Sequence, residues 1–179
     1  RSELVQVVAN AIGRRQDQLI LDALLAAKGS TVAAGGTDLT VAKLRDAKKT
    51  LDSNNVPAED RHIVLHANNL SSLLSETAVT SADFNTVRAL VSGELNTFLG
   101  FTFHTIGDRA EGGVSIDGSS VRSCLAFHRS AIGYGEGIGP KTEINYVPEK
   151  TSFLVNAMLS ACSVGIDGEG IVEVLADES

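Results

Sequence analysis

The first 28 residues constrain this chain more than any other stretch. Between Ser2 and Lys28 there is no Pro and only one Gly, Gly13. Apolar or small residues recur at Val5, Val8, Ile12, Leu19, Ala23 and Ala26, the three-and-four spacing of one helix face. A second row, Leu4, Val7, Ala11, Ile20, Leu24 and Ala27, widens the stripe. At ~1.5 Å per residue such a helix is a rod of about 40 Å, longer than most globular helices. A polar belt, Arg14-Arg15-Gln16-Asp17-Gln18, divides it into halves. Gly13 costs roughly 1 kcal/mol against Ala in mid-helix, which predicts a bend or a close backbone contact there. Gly29-Ser30 supplies the stop. Two readings follow: a core helix of an ordinary domain, or a scaffold helix whose belt lies at a surface or subunit boundary.

The rest of the composition narrows the class. A chain of 179 residues suits one compact domain, or one domain with a small second lobe, and can bury a real core. Apolar residues make up 43% and charged residues 21%, a globular profile. The net charge is -7, and no Lys/Arg run exceeds the pairs Arg14-Arg15 and Lys48-Lys49. That argues against a dedicated nucleic-acid surface and a polybasic membrane patch. No apolar run reaches the ~18 residues of a membrane span. Cys124 and Cys162 have neither metal spacing nor a disulfide framework; both are expected as small buried hydrophobes, with a reduced, intracellular origin as the default. The chain opens at Arg1, inside a helical pattern and without a signal peptide. The expectation is a fragment or processed chain.

Downstream, Gly35-Gly36 sits in a small-residue loop, and Asp38 or Thr40 can cap a helix running to about Ser53. Leu44, Ala47 and Leu51 form its buried row; Lys43, Arg45, Lys48 and Lys49 are expected to face out. Arg61 to His66 reads as a strand, with Asn68 or Asn69 capping a short helix through Leu70, Leu73 and Leu74. Another helix is predicted over Ala82–Ser92. From Thr97 to Ile106 the period switches to two, with Phe101 and Phe103 on one face. Gly107 to Ser120 reads as a long loop or a loose hairpin turning at Asp117-Gly118. Strands are predicted over Val121–His128, Lys141–Val147 and Ile171–Leu175, with one or two helical turns within Arg129–Gly135. Thr151–Ser163 is apolar without clean periodicity and reads as a long strand, with a helix as the alternative. Helices with interleaved strands first and strands later make the class α+β, without regular βαβ alternation.

No convincing active site emerges. The glycine-rich Gly133 to Thr142 looks like a phosphate loop, but counting from Gly135 puts Pro140 where the second Gly belongs. Pro offers no N–H, and Glu143-Ile144-Asn145-Tyr146 reads as strand where the motif needs a helix. A structural turn is the expectation. His62 and His66 are four apart, a metal spacing only on a helix; in a strand their side chains stand roughly 13 Å apart. His104 and His128 read as single strand histidines. Asp167 and Glu169 sit in an incomplete calcium-loop pattern that a turn explains better. Catalytic, cofactor-binding and metal-ligating residues are therefore all set at none.

Several stretches, in this order, resemble tailed-phage major capsid proteins: Ala11-Ile12-Gly13-Arg14-Arg15-Gln16-Asp17-Gln18-Leu19-Ile20-Leu21-Asp22-Ala23-Leu24; Leu39-Thr40, Leu44-Arg45-Asp46-Ala47, Leu51-Asp52, Val56-Pro57 and Arg61; Ser81-Ala82-Asp83-Phe84-Asn85; Gly100-Phe101; Phe127-His128-Arg129-Ser130-Ala131-Ile132-Gly133; and Gly165 to Val174. The resemblance implies the Hong Kong 97-type fold, with a long spine helix, an axial domain of mixed sheet and helices, and peripheral strands. It places residues 1–37 and 141–179 in the spine and peripheral strands and 38–140 in the axial domain. It implies a non-enzymatic shell subunit that assembles with copies of itself into pentamers and hexamers around DNA, without sequence-specific contacts, membrane or cofactor. It implies a place in the virion, and in the host cytoplasm before assembly. Proteins of that kind carry an N-terminal arm and an extended loop ahead of the spine. Without them the chain is expected to fold but not to close shells, an expectation that closed particles of the purified chain under the electron microscope would overturn. Two alternatives stand beside it: a shell protein of a cellular nanocompartment, and a small nucleotide-binding enzyme using residues 133–142.

Overall fold

The computed structural model describes residues 2–76, 97–107 and 113–179. Helix α1 spans Ser2–Ala27. Its C-terminal half buries Leu21 and Leu24 against a six-stranded sheet. Its length also runs along a separate two-stranded sheet. Gly13 marks no close approach, because a Cβ there would meet nothing within 4 Å.

The large sheet has the order β1-β8-β5-β2-β4-β3, made from Ser30–Val32 (β1), Arg61–Leu65 (β2), Thr97–Phe98 (β3), Phe101–Thr105 (β4), Val121–His128 (β5) and Ile171–Asp177 (β8). β1 runs parallel to β8 and β2 parallel to β4; the other pairs are antiparallel. Both faces of the sheet are covered, so its central strands are apolar on both sides. Ile63, Leu65, Phe101, Phe103, Cys124, Ala126, Val172 and Val174 pack under α2 (Val41–Ser53) and α3 (Ala67–Ser75). Val64, Leu125 and Ile171 pack under α1. The expected inward pair Phe101 and Phe103, and the α2 row Leu44, Ala47 and Leu51, sit in the first of these cores.

Caps and turns differ in detail from expectation. Thr40 caps α2, its hydroxyl accepting from the Lys43 N–H at 3.3 Å. Lys43 does not face out. Its ammonium donates to the carbonyls of Thr37 and Leu175 at 2.5 and 2.9 Å, so backbone acceptors draw it inward. α3 is capped by His66, whose Nδ1 accepts from the Asn68 N–H; Asn69, an expected cap, is fully buried inside the helix. The helix predicted over Ala82–Ser92 lies outside the described residues, as do residues 108–112 of the loop. Beyond them an Ile116–Arg122 bridge closes a hairpin turn, with Asp117 accepting from the Ser119 and Val121 N–H groups.

The second sheet is a long hairpin, β6 (Ile132–Val147) paired with β7 (Ser152–Gly165). Within Arg129–Gly135 only Arg129–Ala131 makes a helical turn. Gly133 to Thr142 is not a turn but part of β6. The ladder absorbs its Gly and Pro through register shifts between Glu136, Ile138 and Lys141, where Pro140 has no ladder bond to donate. β8, grouped by chain position with the peripheral strands, is hydrogen-bonded between β1 and β5 in the large sheet. Glycines lock α1 to the β7–β8 connection: a Cβ on Gly165 would fall 2.1 Å from that of Ala27, and one on Gly29 2.3 Å from the Gly168 carbonyl oxygen.

Candidate assembly surface

The positions considered for chemistry do not converge. Gly133 to Thr142 is strand, without the following helix whose N-terminus would hold a phosphate. His66 and His128 are both caps; His128 Nδ1 accepts from the Ser130 N–H. Asp167 caps the short turn Gly168–Gly170 by accepting from the Glu169 N–H. Among the described residues no three His, Cys, Asp or Glu side chains come together as a metal site. Cys162 is exposed, unlike Cys124: on β7 it falls on the side turned away from α1. His62 and His104 are not single either. They face each other across β2 and β4, Nδ1 to Nε2 at 3.1 Å, a diagonal contact between parallel strands that no local pattern encodes. Burial holds the His62 imidazole below its ordinary pKa, with help from His104, Arg129 and His128 against Asp60.

The polar cluster under the large sheet is sealed. Asp38 accepts from Asn69 and Ser72, Asn69 donates to Glu178, and Arg122 donates to Glu178 and to the Val114 carbonyl. Cys124 beside it is fully buried and its thiol is pushed up to about 12, chiefly by burial. A thiol so placed is a weak nucleophile. The cluster ties the C-terminal segment to α3.

The chain's open features are on the hairpin and α1. Along β7 the side chains of Val155, Ala157, Leu159, Ala161 and Ser163 are half-covered on the α1 side and the alternating ones are exposed. The polar belt of α1 meets β6 here: Gln16 donates to the Tyr134 hydroxyl and to Glu136, both at 2.8 Å. Further out, both faces are open. Tyr146 and Phe153 are cross-strand partners with ring centroids 5.3 Å apart, each 53% exposed. Ile144, Leu154, Met158 and Ile138 continue the exposed apolar surface. A two-stranded sheet is marginal in water, and apolar surface gathered on one element marks an interaction site. The arrangement suits packing against another protein surface.

A rod-like helix bracing a mixed sheet and an open strand hairpin makes up the Hong Kong 97-type fold. The chain belongs to the phage capsid protein family, which it matches over residues 1–178. Among solved structures it is similar to a chain of Mycobacterium phage Che8, with 22% identity and a TM-score of 0.73 over 96% of this chain and 61% of that one. A chain in the capsid structure of the cyanophage P-SCSP1u gives 20% identity and a TM-score of 0.70, over 100% of this chain and 66% of that one. The holo-SrpI encapsulin complex from Synechococcus elongatus PCC 7942 matches less closely, with 13% identity and a TM-score of 0.62 over 97% of this chain and 64% of that one. The chain thus spans about two thirds or less of these relatives. No curated protein matches it in sequence.

Proposed function

We propose that this chain is the structural core of a phage capsid subunit, which assembles with copies of itself into pentamers and hexamers and encloses DNA. The observation that carries the reading is the family match over residues 1–178, joined to a hairpin whose outer apolar residues lack cover. In this reading α1 is the spine, the β6–β7 hairpin is the peripheral unit, and the six-stranded sheet with α2 and α3 is the axial domain. By chain position the division is 1–37 and 141–179 against 38–140; by pairing, β1 and β8 lie in the six-stranded sheet and residues 132–140 in the hairpin, so the proposed boundaries shift at those three places. With a net charge of -7, contact with enclosed DNA is loose and independent of sequence. The role is structural and needs no cofactor. The protein resides in the virion, and in the host cytoplasm before assembly. Cryo-electron microscopy of phage particles released by cells that carry the gene tests this. Expected is density for α1 and the hairpin repeated through five- and six-fold capsomers around packed DNA. Particles whose shell lacks the chain would contradict it.

The nanocompartment alternative draws on the encapsulin likeness, which is the weaker one. Neighbouring portal, terminase and maturation protease genes favour the phage reading; a neighbouring cargo enzyme favours the compartment. The nucleotide-binding alternative predicts that ATP or NAD at 100 times its Kd stabilises the chain by about 2.7 kcal/mol. No shift in melting temperature is expected.

A further inference from the structure

His62 and His104 stand on neighbouring parallel strands with Cα partners His62↔Thr102 and Val64↔His104. Two positions apart along the ladder, they share the face of the sheet that carries α1. Their facing nitrogens, His62 Nδ1 and His104 Nε2, are 3.1 Å apart, and the ring planes make an angle of 39°. Phe127, the Cα partner of His62 on β5, flanks the His62 ring at a centroid distance of 5.8 Å and limits its swing.

We propose that His62 and His104 form a two-ligand chelate for a divalent transition-metal ion of the copper, nickel or zinc class. Two nitrogens bound to one tetrahedral ion at roughly 2.0–2.1 Å lie about 3.3 Å apart. The observed separation meets that with a shift of a few tenths of an ångström, and both side chains start from anchored strands. Imidazole selects these ions over magnesium and calcium, which want oxygen. Among the described residues no third His, Cys, Asp or Glu joins the pair. Water fills the remaining positions, and His104 is exposed enough to admit it. Asp60 lies near enough to His62 to favour a cation, while Arg129 and His128 oppose one. The proton count closes without release. In the present hydrogen bond one facing nitrogen carries a hydrogen; in the chelate that hydrogen sits on the far nitrogen of the same ring, Nε2 of His62 or Nδ1 of His104, and both rings stay neutral. The site is independent of the capsid reading.

Titration calorimetry of the untagged chain with copper(II), nickel(II) and zinc(II) salts tests it. Expected is one ion per chain, bound tightest for copper. Affinity should fall at least tenfold in His104→Gln, whose exposed position leaves the fold intact, and in His62→Gln, and should not fall in His128→Gln. Copper bound to the parent chain should show coupling to two nitrogens in its electron paramagnetic resonance spectrum, and His104→Gln should lose one. Absence of saturable binding, or parent-like affinity in both His104→Gln and His62→Gln, overturns the proposal.

Discussion

A methyl group on Gly165 would land 2.1 Å from the Ala27 Cβ, whereas one on Gly13 would meet nothing within 4 Å. The two glycines, one in mid-helix and one at the end of β7, therefore have opposite expectations. Gly165→Ala must push α1 off β7 and should cost about 1–3 kcal/mol. Gly13→Ala adds only helix propensity and should stabilise by about 1 kcal/mol. Thermal denaturation of the two variants separates them; a destabilised Gly13→Ala would mean that position is not free. Lys43 is a second residue whose role depends on its surroundings. Lys43→Leu leaves the Thr37 and Leu175 carbonyls without their charged donor, at a cost of about 1.5–3 kcal/mol. If urea unfolding shows no loss, the buried ammonium contributes nothing to the fold.

At the scale of elements, the sequence speaks clearly where one period repeats. The row Leu44, Ala47 and Leu51 and the alternation around Phe101 and Phe103 each depend on neighbours along the chain, and the structure shows both. The α1 stripe is only partly the expected one: Leu21, in neither row, is buried beside Leu24, while Val7 and Ala26 are exposed. β6 was hidden because Gly and Pro punctuate most chains as turns, while here the β7 ladder keeps them extended. Lys43, Cys162 and the His62–His104 pair were hidden for the converse reason: their partners or exposure come from elements far away in sequence. The resemblance to capsid proteins was legible only as an ordered set of stretches, and the hairpin surface carries no motif at all. That surface makes its own prediction. Tyr146→Ser with Phe153→Ser removes a cross-strand pair worth roughly 0.2–1 kcal/mol, so monomer stability should hardly change. Loss of more than that in calorimetry would show the two rings to be core residues of the monomer.

For the whole molecule, acid is the natural stress. The hydrogen bond from Arg122 holds the Glu178 carboxyl below its ordinary value of 4.5. Burial pushes the Glu173 carboxyl up, but hydrogen bonds from Lys28, Ser123 and Thr31 outweigh it and the result is also lowered. Carboxyls lowered in the folded state stabilise it above their unfolded pKa, and that stability is lost as pH falls through the folded value. Melting temperature should therefore drop as pH falls below about 4.5, the ordinary value, and Glu178→Gln should flatten that dependence. An acid profile identical to the parent's would remove Glu178 from the account.

The claim that the chain is a shell subunit bears hardest on the open hairpin. Sedimentation velocity of the purified chain, from micromolar concentrations upward, tests it most directly. The expected result is reversible self-association that grows with concentration and disappears in a Tyr146→Ser, Phe153→Ser, Leu154→Ser variant that melts like the parent. A chain that stays monomeric throughout, or that associates equally well without those three side chains, would contradict it.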